Sequence, residues 1–234
     1  MSYLITNTIR NTAASIMKRL PWWSFFLVCA FYAIFAFSMG IVEILSQLGL
    51  ATEAKFRAAP FLFVTHALAG GVALITGPLQ FNRTLLKKYR QLHRISGRMY
   101  VFAIWVASLS AFGDAMFFDV TIPAKILFAI LAVLWFTTTT IAYLRIRKRK
   151  IKEHREWMIR SFSLSFFSVT FSFWVPGLTG ISLPVEISYP LAVFLSWFLN
   201  LALAEIWIRQ TRSRFSNTEL TALEYRHAEK ARNV

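Results

Sequence analysis

The chain has 234 residues, of which 56% are hydrophobic and 16% charged, with a formal net charge of +15. Soluble domains carry about 25% charged residues, so this composition excludes an ordinary water-soluble globule. The positive charge by itself suggests a nucleic-acid partner, but its placement along the chain argues for a membrane topology and against nucleic acid.

Residues 1–20 place Ile5, Ile9 and Ile16 at helical spacing, as in an amphipathic segment lying along a membrane surface. Six apolar stretches follow, at 21–47, 60–81, 99–118, 126–144, 161–181 and 187–208. A hydrocarbon core about 30 Å thick needs about 20 apolar residues per helix, and each stretch supplies them. The fold expected is all-α: an integral membrane helical bundle of six transmembrane helices over 21–208, followed by a polar tail over 209–234. The first stretch is too long for a signal-peptide core and reads as a retained anchor. Cys29 is the single cysteine, which excludes a disulfide framework. Pro21, Pro60, Pro123 and Pro190 sit at or near span starts, where a missing amide proton costs least. Pro78 lies in the last turn of the second span, where it can bend the helix.

Basic residues segregate. Arg10, Lys18 and Arg19 precede the first span, six lie from Arg83 to Arg98, eight from Arg145 to Arg160, and six follow the last span. Only Lys55, Arg57 and Lys125 fall on the other side. This positive-inside pattern expects both termini in the cytoplasm, with the basic loops against anionic lipid head groups. Two of these runs lead into His93-Arg94 and His154-Arg155, with Arg98 and Arg160 following, a weak hint of an internal duplication.

Ionisable groups at membrane depth are expensive, so each is a candidate. They are Glu43, His66, Asp114 and Glu205. At 1.5 Å per residue His66 lies about 9 Å inside the second span, and Glu43 and Asp114 about 6 Å from the outer ends of theirs. The three form one outer layer, a candidate polar intramembrane site able to bind a ligand or pass protons. The alternative is that the two acids reach interfacial water while His66 bonds a neighbouring helix.

Helical spacing places His66, Gly70, Ala73, Gly77 and Gln80 on one stripe of the second span. The same spacing joins His93, Gly97, Tyr100, Ile104, Ala107, Ala111 and Asp114 in the third, and His154, Met158, Ser161, Ser165, Ser168 and Ser172 in the fifth. Small and hydroxylated stripes are what helix packing in membranes selects, so close packing accounts for them without a cofactor. The histidines need a separate account. A b-type haem needs two imidazoles at similar depth, which His93 and His154 supply near the cytoplasmic boundary, with Arg94 and Arg155 placed to pair with propionates. Both histidines also sit at span starts, where water alone can solvate them. Thr137 to Thr140 are expected to bond their own backbone. No phosphate-cradling glycine loop, zinc-protease helix or nucleophile elbow is present, and no metal-ligand cluster beyond the haem pair is indicated.

Three segments together resemble a known family: His66 in a glycine-rich span ending Gly77-Pro78-Leu79-Gln80-Phe81, then His93-Arg94-Ile95-Ser96-Gly97-Arg98-Met99-Tyr100, then His154-Arg155-Glu156-Trp157-Met158-Ile159-Arg160. In combination they are similar to the predicted membrane proteins of domain-of-unknown-function family 2306, over roughly residues 60–174. The resemblance implies a multi-pass protein of the bacterial cytoplasmic membrane and carries no activity with it. Three functions therefore stand open. One is a haem-associated or redox membrane protein using His93 and His154. Another is a small-solute transporter or channel using Glu43, His66 and Asp114, although no interrupted helix pair or inverted repeat is visible. The third is a non-enzymatic subunit whose small-residue stripes bind other membrane proteins. Whether the protein is an enzyme stays open.

Overall fold

The structure is a computed structural model that describes the backbone of residues 2–51 and 59–232, and side chains over 22–51 and 59–212. Ile5, Ile9 and Ile16, the basic pair Lys55 and Arg57, and the tail side chains beyond 212 lie outside the residues whose side chains are described. Every described element is a helix: α1 (Ser2–Gln47), α2 (Pro60–Gln80), α3 (Arg83–Lys88), α4 (Arg90–Phe117), α5 (Ile122–Arg147), α6 (Ile151–Ser165), α7 (Phe167–Gly180) and α8 (Val185–Arg232). Six stretches are long and apolar enough to cross a membrane, with α6 and α7 together making the fifth. Consecutive spans alternate in direction. One face of the bundle, here the terminal face, carries Gln80, Arg90, Arg147 and Ile151; the far face carries Gln47, Pro60, Phe117, Ile122 and Gly180.

Two helices start earlier than hydropathy implies. α4 begins at Arg90 and α6 at Ile151, so His93 and His154 lie in helical first turns, at the heads of the stripes that helical spacing gives them. Hydropathy registers where hydrocarbon begins, whereas backbone hydrogen bonding continues through polar turns. The short α3 was not expected. Asn82 caps it, its Oδ1 accepting from the amides of Thr84 at 2.9 Å and Leu85 at 3.0 Å.

The fifth span is interrupted at Phe166, where neither proline nor glycine stands. Hydroxyls crowd the segment instead. Ser163 donates to the Arg160 carbonyl (2.7 Å), Ser165 to Ser161 (3.1 Å), Thr170 to Phe167 (3.1 Å) and Ser172 to Val169 (2.8 Å). Side chains that bond carbonyls of the preceding turn compete with the helical ladder and bend it.

In the bundle α2 lies between α1 and α4, α5 lies between α4 and α6, and α8 packs on α5, α6 and α7. α1 also touches α7, which closes the ring. The core gathers Tyr100, Ile104, Ala107, Trp135, Phe162 and Cys29. Of the described glycines the most closely packed is Gly77, where an added Cβ would lie 2.2 Å from Phe162 and 3.0 Å from Tyr100. Only glycine lets the Phe162 ring seat there, with Phe25 and Phe81 packed on its edges. Outward faces are apolar, as lipid requires: Phe31, Ile34, Phe102, Leu109, Val133, Phe173 and Leu203 are exposed. Towards the terminal face α6 is tied to α8. Arg160 donates from Nε and Nη2 to the two Glu205 oxygens at 3.0 and 2.8 Å, and Glu156 pairs with Arg212.

Candidate functional site

The three polar stripes of the second, third and fifth spans turn inward and meet. Between them, in the far half of the bundle, lies a cavity of about 390 Å³ to which all six spans contribute. α1 supplies Tyr32 and Met39, α2 His66 and Gly70, α4 Ala111 and Asp114, α5 Phe128 and Trp135, α6 and α7 Ser165, Ser168 and Ser172, and α8 Tyr189. Gly70 has open space where a Cβ would stand, so its missing side chain is part of the cavity volume.

His66 is held by one bond. Its Nδ1 lies 3.0 Å from the carbonyl oxygen of Ala107 on α4. A carbonyl only accepts, so Nδ1 carries a proton and donates, and in the neutral ring Nε2 holds the lone pair. The His66 ring also meets Trp135 edge to face, with centroids 6.3 Å apart. Asp114 lines the same cavity, half-buried and within electrostatic reach of His66. The hydroxyls of Tyr32 and Ser172 bond each other across the wall between α1 and α7. The Ser168 Oγ is buried without a hydrogen-bond partner and belongs to the same lining.

Below the cavity a hydroxyl network seals the core. Trp135 Nε1 donates to Ser165 Oγ at 2.9 Å. The Tyr100 hydroxyl bonds Ser161 at 3.0 Å and Ser165 at 3.1 Å, and Ser161 bonds Thr139 at 2.7 Å. Thr138 and Thr139 do bond their own helix, at 2.8 Å to the carbonyls of Leu134 and Trp135. Thr139 reaches across to α6 as well, and Thr140 accepts from Trp105 Nε1 at 2.9 Å. A threonine oxygen has two lone pairs, so a bond within its own helix leaves room for a partner on another.

Of the outer-layer trio, the structure brings together His66 and Asp114 and leaves Glu43 apart. Glu43 is 3% exposed, does not line the cavity, and accepts from Gln47 Nε2 on its own helix at 2.9 Å. Glu205 is engaged with Arg160, whose guanidinium also lies 4.6 Å from the Trp157 ring centroid.

His93 and His154 stand towards the terminal face, within electrostatic reach of each other. His154 Nδ1 is 2.8 Å from the Ala142 carbonyl oxygen, which fixes its tautomer as His66's is fixed. His93 Nδ1 is buried without a partner. Arg94 and Arg155 beside them are exposed. Among the described residues no group of three or more metal-ligating side chains occurs.

Residue types alone did not single out Tyr32, Trp135 or Tyr189. The serines at 165, 168 and 172 were visible as one stripe, and the structure turns that stripe onto the cavity. Aromatic residues in a membrane sequence read first as lipid-facing, and nothing local separates those that turn inward.

A family model described as "Predicted membrane protein (DUF2306)" matches residues 63–208, more than half of the chain. No curated protein and no solved structure matches it.

Proposed function

The chain belongs to the DUF2306 family of predicted membrane proteins, and from that premise we propose that its bundle binds a small solute within the membrane and passes it across. The observation that carries this reading is the convergence of six spans on one cavity. There the His66 lone pair, the Asp114 carboxylate and an unpartnered Ser168 hydroxyl stand among aromatic walls. Concave, mostly apolar sites with a few converging polar groups are where small ligands bind, and ionisable groups at membrane depth mark solute paths. The charge-segregated loops support placing the far face, and hence the half of the bundle that holds the cavity, on the external side of a bacterial cytoplasmic membrane. Passage to the other side needs the Gly77–Phe162 contact and the α6–α8 ion pairs to separate. The interruption at Phe166 gives α6 a place to pivot relative to α7.

Solvent access tests this. In a Cys29→Ser background, Ser168→Cys is expected to react with a membrane-impermeant thiol reagent added on the far side. Gly70→Leu in the same protein is expected to block the reaction by filling the cavity. Absence of labelling from either side overturns the reading.

One observation favours a second reading, a haem at the terminal face. The buried Nδ1 of His93 lacks a partner, and His154 has its Nδ1 tied to a carbonyl, as imidazoles that ligate metals commonly do. The donor set fits a b-type haem: His93 and His154 would hold the iron, and Arg94 and Arg155 the propionates. Bound there, the group would supply one-electron transfer. Protein expressed with ample haem and purified without a Soret band overturns this reading.

A further inference from the structure

We infer that the solute of the His66–Asp114 cavity is an organic ammonium ion, an amine protonated at neutral pH on a compact apolar body. The inference rests on the cavity reading above and adds the charge and chemical class of the ligand.

Charge comes first. Among the described residues lining the cavity there is one carboxylate, that of Asp114, and neither lysine nor arginine. A half-buried carboxylate is favoured by a cationic or hydrogen-bond-donating partner, which offsets the part of its desolvation that water leaves uncompensated. An anionic ligand would add a second negative charge beside it.

Hydrogen bonding points the same way. His66 spends its proton on the Ala107 carbonyl, so its Nε2 accepts. Asp114 accepts as well. The two strongest polar groups are thus both acceptors, and the ligand must bring the donors, which N–H groups of a protonated amine do. The buried Ser168 hydroxyl, now without a partner, can accept from such a ligand as well. This pattern favours primary to tertiary amines over quaternary ones, which have no N–H to give.

The walls decide the rest of the molecule. Phe63, Phe118, Phe128, Trp135, Phe171 and Tyr189 surround the polar groups. Aromatic faces attract cations through the ring quadrupole and cover apolar surface at the same time. A bare metal cation would find the opposite conditions, since hard cations take six or more oxygens.

Binding to the purified protein in nanodiscs, followed by tryptophan fluorescence or calorimetry, tests this with three probes of one shape: phenethylamine, 2-phenylethanol and phenylacetate. The amine is expected to bind at least about tenfold more tightly than either of the others. Asp114→Asn is expected to remove that preference by weakening the amine's binding at least about tenfold more than the alcohol's, and Gly70→Leu to abolish binding of all three. If the alcohol or the acid binds as tightly as the amine, and Gly70→Leu still blocks it, the ammonium assignment falls and the cavity reading stands. If no probe shows binding sensitive to Gly70→Leu, both fall. Should Asp114→Asn fail to fold, the amine-to-alcohol ratio of the unaltered protein decides by itself.

Discussion

The imidazole of His66 on α2 donates from Nδ1 to the carbonyl oxygen of Ala107 on α4, across 3.0 Å. That bond joins two spans, and it leaves the lone pair of Nε2 uncommitted in a ring that lines the cavity. Structural and chemical roles thus fall on the two nitrogens of one ring, which makes them separable. His66→Asn retains an amide donor for Ala107 and is expected to keep most of the stability while losing the Nε2 acceptor. His66→Leu is expected to lose both. Interhelical hydrogen bonds in membranes contribute about 0.6 kcal/mol on average, so the stability gap between the variants is expected to be about that size. Unfolding in detergent measures the gap, and probe binding measures the acceptor.

Gly77 is the contact most sensitive to volume. An added methyl would stand 2.2 Å from Phe162, whose ring has Phe25, Phe81 and Phe166 around it and nowhere to swing. Gly77→Ala is expected to destabilise the protein by about 1–3 kcal/mol, the usual cost of overpacking. Phe162→Leu, destabilising alone, is expected to recover part of that loss when combined with Gly77→Ala. A double-mutant cycle showing simple additivity would refute the contact.

Tyr100 is fully buried, and its hydroxyl serves both Ser161 and Ser165. Tyr100→Phe removes that hydroxyl without changing the ring. Both serines keep another partner, Thr139 for Ser161 and Trp135 for Ser165. No buried group is orphaned, so the loss is expected to be about 1 kcal/mol and not the larger penalty of an unsatisfied hydroxyl. Ser161→Ala in the same background tests whether the network acts as one unit, read from the unfolding midpoints.

Arg160 holds Glu205 with two nitrogens while lying over Trp157. Lysine offers neither the planar fork nor the same stacking, so Arg160→Lys is not expected to substitute. The Glu205 side chain is 37% exposed, so solvent screens the pair and the loss is expected to be about 1 kcal/mol. Glu205→Gln in the Arg160→Lys background should then cost little more. A full second loss would show that the two residues act independently.

How much of this was legible beforehand follows from what each property depends on. Span number, helical class and the inward turn of small and polar stripes were readable because hydropathy and the 3.6-residue period are local. A serine at 165, 168 or 172 falls on the same helical face whatever surrounds the helix. The same period places His93 and His154 at the heads of the third and fifth helices, as the structure has them, while hydropathy misses where those helices begin because they extend past the hydrocarbon edge into polar turns. The interruption at Phe166 was hidden too. No proline or glycine announces it, only hydroxyls that bond the preceding turn as others do in uninterrupted helices.

Depth was determined by the sequence alone: it put Glu43, His66 and Asp114 in one layer and His93 and His154 in another. Which members of a layer meet was decided only by the tertiary structure. Depth follows from counting along one helix at a fixed rise per residue, but meeting depends on how each helix is rotated about its axis and which neighbour it packs against. The close approaches of Gly77 to Phe162, Gly71 to Phe37 and Gly113 to Leu62 are part of that packing and join residues distant in sequence. Rotation turned Asp114 towards His66, left Glu43 with Gln47, and brought in Trp135 and Tyr32, which no sequence feature singles out.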